Sequence, residues 1–320
     1  MRRIRYNQAI NEALVEEMAR DEKVFILGEG VQTSTFGTLT GLMDRFGPER
    51  VMDTPMAETA LAGIAVGASL MGYRPIADLM FVDFMYIAAD EIMLKAAQWR
   101  FMQGGSQTLP CVFLANMGGY RKLGNEHSRC PYSLFLHHPG LKVVVPADAY
   151  DAKGLMKTAI RDNNPVVYLF HKGLLGAEGE VPEEDYTVPF GVANVRREGE
   201  DVTVVATGLM VMFAMAAAAQ LKDKISVEVI DPRTLEPLDL ETILSSVRKT
   251  GRVVIVDEDT ERCGFAGELG MQIMEHAFYK LDAPVKRVCA ANYPIPGGTL
   301  ENHVLPRPEK VVAAIEEVMA

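Results

Sequence analysis

A single carboxylate, Glu58, stands at the head of Glu58-Thr-Ala-Leu-Ala-Gly-Ile-Ala-Val-Gly67, a run whose other members are small or apolar. Such a carboxylate has two readings. It is a first-turn acid favoured by the helix dipole, with Thr54 as N-cap and Pro55 at the first helical position, or it is a group used in a cleft for proton transfer or ligand binding. A second candidate is the loop 116–130, which holds three glycines and a lone histidine, His127. It reads equally as a ligand-facing loop, with His127 as a proton shuttle, or as a solvated surface loop. Met80-Phe-Val-Asp-Phe84 sets two aromatics at the end of a strand, more often a core pattern than a site. His137-His138 precedes Pro139-Gly140, reads as a turn and lacks metal-ligand spacing. Gly28-Glu-Gly30 is not a dinucleotide fingerprint, and the chain carries no P-loop.

The elements that must position these groups alternate. Helical patterns fall at 9–18, 84–102 and 149–161 and on the helix that carries Glu58 and its small residues as far as Gly72, and short apolar strands at 24–27, 51–53, 74–78, 111–115, 142–145 and 166–170. Continuously apolar strands separated by helices predict a mostly parallel sheet with helices on both faces. Sites in such sheets gather at the carboxyl ends of the strands, where Glu58 and the 116–130 loop fall. The glycines and alanines of the Glu58 helix cost helix propensity and predict close backbone packing. Residues 173–195, rich in Gly, Glu and Pro, read as a linker. A second α/β unit follows, with strands at 202–206, 227–230, 253–256 and 285–289. Its helices are expected at 209–221, 240–247, 266–278 and 308–319.

Composition bounds the class. At 320 residues two domains are expected, and a net charge of −11 offers no basic surface for nucleic acid or an anionic membrane. Four dispersed cysteines without a CxxC pair fit reduced thiols rather than a disulfide frame or zinc site. No apolar run reaches membrane-spanning length, and the first residues resemble neither a signal nor a transit peptide. A cytoplasmic protein is the expectation.

In the order and spacing of its motifs the chain resembles the β subunit of thiamine-diphosphate-dependent 2-oxo acid dehydrogenase E1 components, the group acting on pyruvate, branched-chain 2-oxo acids or acetoin. The likeness runs through Leu27-Gly-Glu-Gly-Val31, Asp53-Thr-Pro-Met-Ala-Glu58, Gly63-Ile-Ala-Val-Gly67, Met80-Phe-Val-Asp-Phe84, His127-Ser128, Pro139-Gly-Leu-Lys-Val-Val-Val-Pro146, Ile160-Arg-Asp162 and Asp231-Pro-Arg-Thr-Leu-Glu-Pro-Leu-Asp239. It implies a pyrimidine-binding domain over 1–178, a linker over 179–195 and a transketolase C-terminal-like domain over 196–320. It implies thiamine diphosphate as cofactor, with Mg²⁺ and the diphosphate held mainly by an α subunit in an α₂β₂ assembly. The absence of a GDG motif from this chain agrees with a β subunit. Glu58 matches the glutamate that hydrogen-bonds N1′ of the aminopyrimidine, Phe84 the aromatic that stacks on it, and Glu29 an acid near the cofactor. His127 matches a histidine acting on substrate or in acyl transfer to a lipoyl E2. Ile160, Asp162 and Asn164 match a region that binds K⁺ through carbonyls.

The loop before His127 departs from the family pattern, which is Gly/Ala-rich and ends His-Ser-Gln. Here it carries Tyr120, Arg121, Lys122, Asn125 and Glu126, and Arg129 replaces the glutamine. Arg121 or Arg129 then meets a more polar or more acidic substrate, or the loop forms salt bridges at the α–β boundary. An alternative function is the C-terminal half of a split transketolase-like enzyme transferring a ketol unit of a phosphosugar. That group usually reads Gly-Ile-Ala-Glu-Gln where this chain has Thr-Pro-Met-Ala-Glu. A third reading, a scaffold without cofactor, sits poorly with Glu58, Phe84 and His127 all present.

Overall fold

The computed structural model describes residues 1–320, which group into two compact units. Unit one comprises 1–117 and 134–190, and unit two comprises 118–133 and 191–320. The loop 118–133 thus leaves a strand of unit one in sequence but packs as part of unit two.

In unit one, β1 (Arg2–Arg5) precedes the strands β2 (Val24–Gly28), β3 (Val51–Asp53), β4 (Arg74–Phe81), β5 (Val112–Met117), β6 (Lys142–Val144) and β7 (Val166–His171). They lie in the order β6-β7-β5-β4-β2-β3, with every pairing parallel. β2, β5 and β7 are buried along their whole length, as strands covered on both faces must be. Parallel pairing aligns all carboxyl ends. Glu29 therefore follows β2, Glu58 follows β3 and Phe84 follows β4 on one rim. β8 (Glu178–Val181) pairs antiparallel with β1, so the stretch read as a linker contributes a strand. Its Glu-Gly-Glu-Val sequence has no apolar period to announce it, and the pairing partner lies at the start of the chain.

The helices 6–20 and 149–161 pack together through a charge network with buried inner members and an exposed rim. Lys157, 1% exposed, meets Glu16 and Asp185, and Arg161 bonds Glu17, itself 0% exposed. Residues 84–102 do not form the single helix their periodicity suggests. They divide into a 3₁₀ turn (Val82–Tyr86), a π-helical stretch (Asp90–Ala96) and one α-helix (Ala97–Met102). Apolar spacing alone does not separate these hydrogen-bond patterns, and π segments recur at functional sites.

Unit two contains β9 (Asn194–Arg197), β10 (Val202–Ala206), β11 (Val227–Asp231), β12 (Thr234–Glu236), β13 (Val253–Thr260) and β14 (Lys286–Ala290). Five of them form a sheet in the order β14-β13-β10-β11-β9, parallel except for β9 against β11. No helix of the chain is long and apolar enough to cross a membrane.

Candidate active site

The helix carrying Glu58 starts at that residue, with Ala57 as its N-cap and no side-chain cap. Thr54 does not cap it. Its backbone N–H donates to Gly28 O at 3.1 Å, which holds the chain beside β2 for three more residues before the helix begins. Glu58 is half-buried in an open cleft of about 740 Å³, walled by Met56, Ala57, Gly63, Ile64 and Ile87. Its carboxylate makes no hydrogen bond or ion pair within the chain. The cleft's other acid, Glu91, is bonded to Lys95, which also meets Asp90 at 2.8 Å. Asp90 and Glu91 hold the Lys95 ammonium above its ordinary range. Glu58 is left as the one uncommitted carboxylate of a mostly apolar cleft.

The small residues of this helix behave differently from expectation. Leu61, Ala62, Ala65, Val66 and Ser69 form its buried face. Gly67 faces open space, and a Cβ on Gly63 would meet only the Glu91 side chain, at 3.4 Å. Close backbone packing within the chain is therefore absent at both glycines.

Phe84 sits in the 3₁₀ turn after β4, half-buried, with its ring edge-to-face on Phe81 at 5.5 Å. Phe81 in turn meets Phe36 at 5.4 Å, and Phe36 meets Phe170 at 6.0 Å. Each contact is worth about 1 kcal/mol beyond burial, so the chain of rings fixes where Phe84 stands. Thr59 Oγ1 donates to Ile87 O at 2.8 Å, which ties the Glu58 helix to the segment just after Phe84. Phe36 had no local signal in a Thr- and Ser-rich loop. Its role comes from Asn7 and Asn11, whose amides hold the Phe36, Thr38 and Thr40 carbonyls.

Glu29 does not share the Glu58 cleft. It lines a small cavity with Asp78, Met80 and Phe36. Burial pushes the Asp78 carboxyl up to about 6, against a hydrogen bond from Met80 N that favours the charged form. Gly28 has no room for a side chain here, because a Cβ would lie 2.4 Å from Asp78 O.

His127, Arg121 and Arg129 belong to unit two, on the loop that follows β5. His127 is half-buried and both arginines are exposed. Ile160, Asp162 and Asn164 lie at the opposite end of β4 from Phe84, and that strand rises about 23 Å from Arg74 to Phe81. There Arg74 Nη1 donates to Ile160 O at 3.0 Å and to Asp162 O at 2.8 Å, and its other terminal nitrogen to Asn163 Oδ1 at 2.7 Å. The Asp162 carboxylate takes Lys142 and the backbone of Asn164.

The transketolase pyrimidine-binding domain matches residues 2–178 and the transketolase C-terminal domain residues 191–311. The chain belongs to this family and, within it, to the β subunits of the thiamine-diphosphate-dependent 2-oxo acid and acetoin dehydrogenases. It is 44% identical to the β subunit of acetoin:2,6-dichlorophenolindophenol oxidoreductase from Cupriavidus necator, over 99% of this chain and 98% of the relative. Identity is also 44% to the 2-oxoisovalerate dehydrogenase subunit beta of Bacillus subtilis, over 98% of each. Among solved structures, a split-gene transketolase described as an inactive β4 tetramer superposes with a TM-score of 0.81. It is 29% identical, over 99% of this chain and 98% of that one.

Proposed function

We propose that this chain is the β subunit of a heteromeric thiamine-diphosphate-dependent dehydrogenase E1 acting on a 2-oxo acid or acetoin. It decarboxylates or cleaves the substrate and passes the acyl unit to a lipoyl group of an E2 or to another acceptor. The observation that carries this reading is Glu58: a carboxylate without a partner in the chain, in a mostly apolar open cleft that Thr59 ties to the segment just after Phe84, although Phe84 itself does not line it. A lone acceptor against apolar walls fits the aminopyrimidine of thiamine diphosphate, which offers one ring nitrogen for protonation and a flat face for stacking. When bound, that cofactor would supply a carbon acid whose deprotonated form is a nucleophile toward a 2-oxo group. Glu58 would hold the aminopyrimidine through a hydrogen bond at N1′ and so would promote the proton transfer that the cofactor's chemistry requires. Phe84 would orient the ring, and the apolar side chains beside Glu58 would strengthen its bond once cofactor and partner cover the open cleft. His127 acts on the substrate or in acyl transfer, with Arg121 and Arg129 meeting its polar end.

The Mg²⁺ and diphosphate are assigned to an α partner, in an α₂β₂ assembly. Unpartnered apolar groups around the site support such a partner. Met56 is 76% exposed, Ile87 62% and Ile64 49%, more than a lone subunit usually leaves clustered in water. The Ile160, Asp162 and Asn164 region does not fit a K⁺ role in this geometry, since Arg74 and Lys142 already supply positive charge to its oxygens. The ketol-transfer alternative has the weaker support, 29% identity against 44%. The test is co-expression with its α partner, followed by a screen of 2-oxo acids, acetoin and ketose phosphates with thiamine diphosphate and a dye acceptor. Turnover of a 2-oxo acid or acetoin is expected. Turnover of ketose phosphates alone would replace this reading with the ketol-transfer one.

A further inference from the structure

The loop that carries His127 is built on a strained backbone. Gly118, Tyr120, Lys122 and Gly124 have φ of 93°, 65°, 62° and 90°. Two of these four bear side chains, for which the left-handed region costs roughly 1–2 kcal/mol each. Strain of this kind persists only where surrounding groups over-determine it. Two buried carboxylates do so. Glu258, 3% exposed, accepts from Gly119 N at 2.6 Å, and Glu301, 2% exposed, accepts from Lys122 N at 3.2 Å.

The remaining fixings surround them. Tyr120 OH donates to Pro306 O at 2.8 Å while its ring stands edge-on to Phe213 at 5.4 Å. At the other foot Tyr132 OH bonds Asp257, and Ser133 N reaches Asp259 at 3.4 Å. Gly118 N donates to Arg129 O at 2.9 Å and closes the loop on itself. Gly119 leaves no room for a side chain beside this contact, because a Cβ there would lie 2.3 Å from Leu305 Cδ1.

We infer that Glu258 and Glu301 are positioning residues, which select the left-handed conformation of 118–124 and thereby aim His127. The inference rests on the reading of His127 as a substrate-facing group. Charge-assisted bonds from a carboxylate to backbone N–H groups are about twice as strong as neutral ones, and removing the acceptor strands a buried donor. Neither glutamate is required to touch substrate.

The test uses the assembled α/β enzyme with Glu258→Ala, Glu258→Gln, Glu301→Ala, His127→Ala and the double variant Glu258→Ala/His127→Ala. Hydrogen–deuterium exchange of the 118–130 segment is expected to quicken at least tenfold in Glu258→Ala and Glu301→Ala. The Gln variant keeps an acceptor and should stay within threefold of wild type in exchange and in kcat. Turnover of Glu258→Ala should fall at least tenfold, and the double variant should be no worse than His127→Ala by more than twofold. Unchanged exchange, or fully additive losses of turnover, overturns the inference. Should His127→Ala retain full turnover while exchange still quickens, the role of His127 falls and the hold on the loop stands. If Glu258→Ala fails to assemble, the Glu301→Ala and Glu258→Gln arms decide by the same exchange criterion.

Discussion

Glu58 in unit one and Glu258 in unit two are both glutamates beside a loop that follows a parallel strand or precedes a helix, yet their surroundings are opposite. Glu58 is half-buried with no partner in the chain, whereas Glu258 is 3% exposed and bonded to a backbone N–H. The difference separates a reagent from a fastening. A carboxylate kept for chemistry is left uncommitted at a cleft, and one used to hold backbone is sunk and saturated. Glu17 is a second fastening, fully buried between Arg161 and Arg20.

The strongest way to break this comparison is Glu58→Gln in the assembled enzyme. Turnover is expected to fall about a thousandfold, the range for loss of an acid–base group, with assembly by size-exclusion chromatography unchanged. Retention of a tenth of wild-type turnover would make Glu58 a dipole acid after all. Next in size, Glu17→Ala should cost about 3 kcal/mol in chemical denaturation, because two arginines lose a buried partner. Its turnover at 25 °C should match wild type, and a large kinetic loss would blur the distinction.

Asp78 sharpens the comparison at a smaller scale. Its folded pKa of about 6 lies above the ordinary 3.8, so the folded state binds the proton more tightly than the unfolded chain does. The resulting stabilisation is present below about pH 4 and is lost as pH rises through about 6, a fall of about 3 kcal/mol at most. Asp78→Asn should remove that slope and be more stable than wild type above pH 7 by roughly 1–3 kcal/mol. Parallel curves for the two proteins would show that Asp78 is charged throughout. The smallest effect is expected from Arg129→Gln, with kcat/KM falling up to about tenfold for acidic 2-oxo acids and less for neutral ones. An equal change for both classes would remove Arg129 from substrate recognition.

Much of this was legible in the residues. The strands around 24–28, 112–117 and 166–171 are apolar throughout and could only be buried. The parallel sheet puts Glu29, Glu58 and Phe84 after strands on one rim, while the roles given to Glu29 and Phe84 came from the family resemblance and not from their spacing. Local spacing misled where a competing bond decided the outcome. Thr54-Pro55 looks like a helix start, but the Thr54 N–H is held by Gly28 O and the helix waits until Glu58. The 82–102 stretch keeps a helical period while changing its hydrogen-bond pattern twice. Phe36, Glu258 and Glu301 escaped because their partners lie far along the chain. Glu301 is 179 residues from Lys122, a separation over which no pattern in sequence speaks.

The membership of 118–133 in unit two bears on how this protein could be recombined with its relatives. A chimera joined near residue 190 would pair one parent's loop with the other parent's glutamates, although the junction itself lies in neither. Exchange of the two halves is then inheritable only when the loop and the positions of Glu258, Glu301 and Asp257 travel together. The unit of modular exchange in this chain is discontinuous, and a crossover chosen from the linear order alone cuts through it.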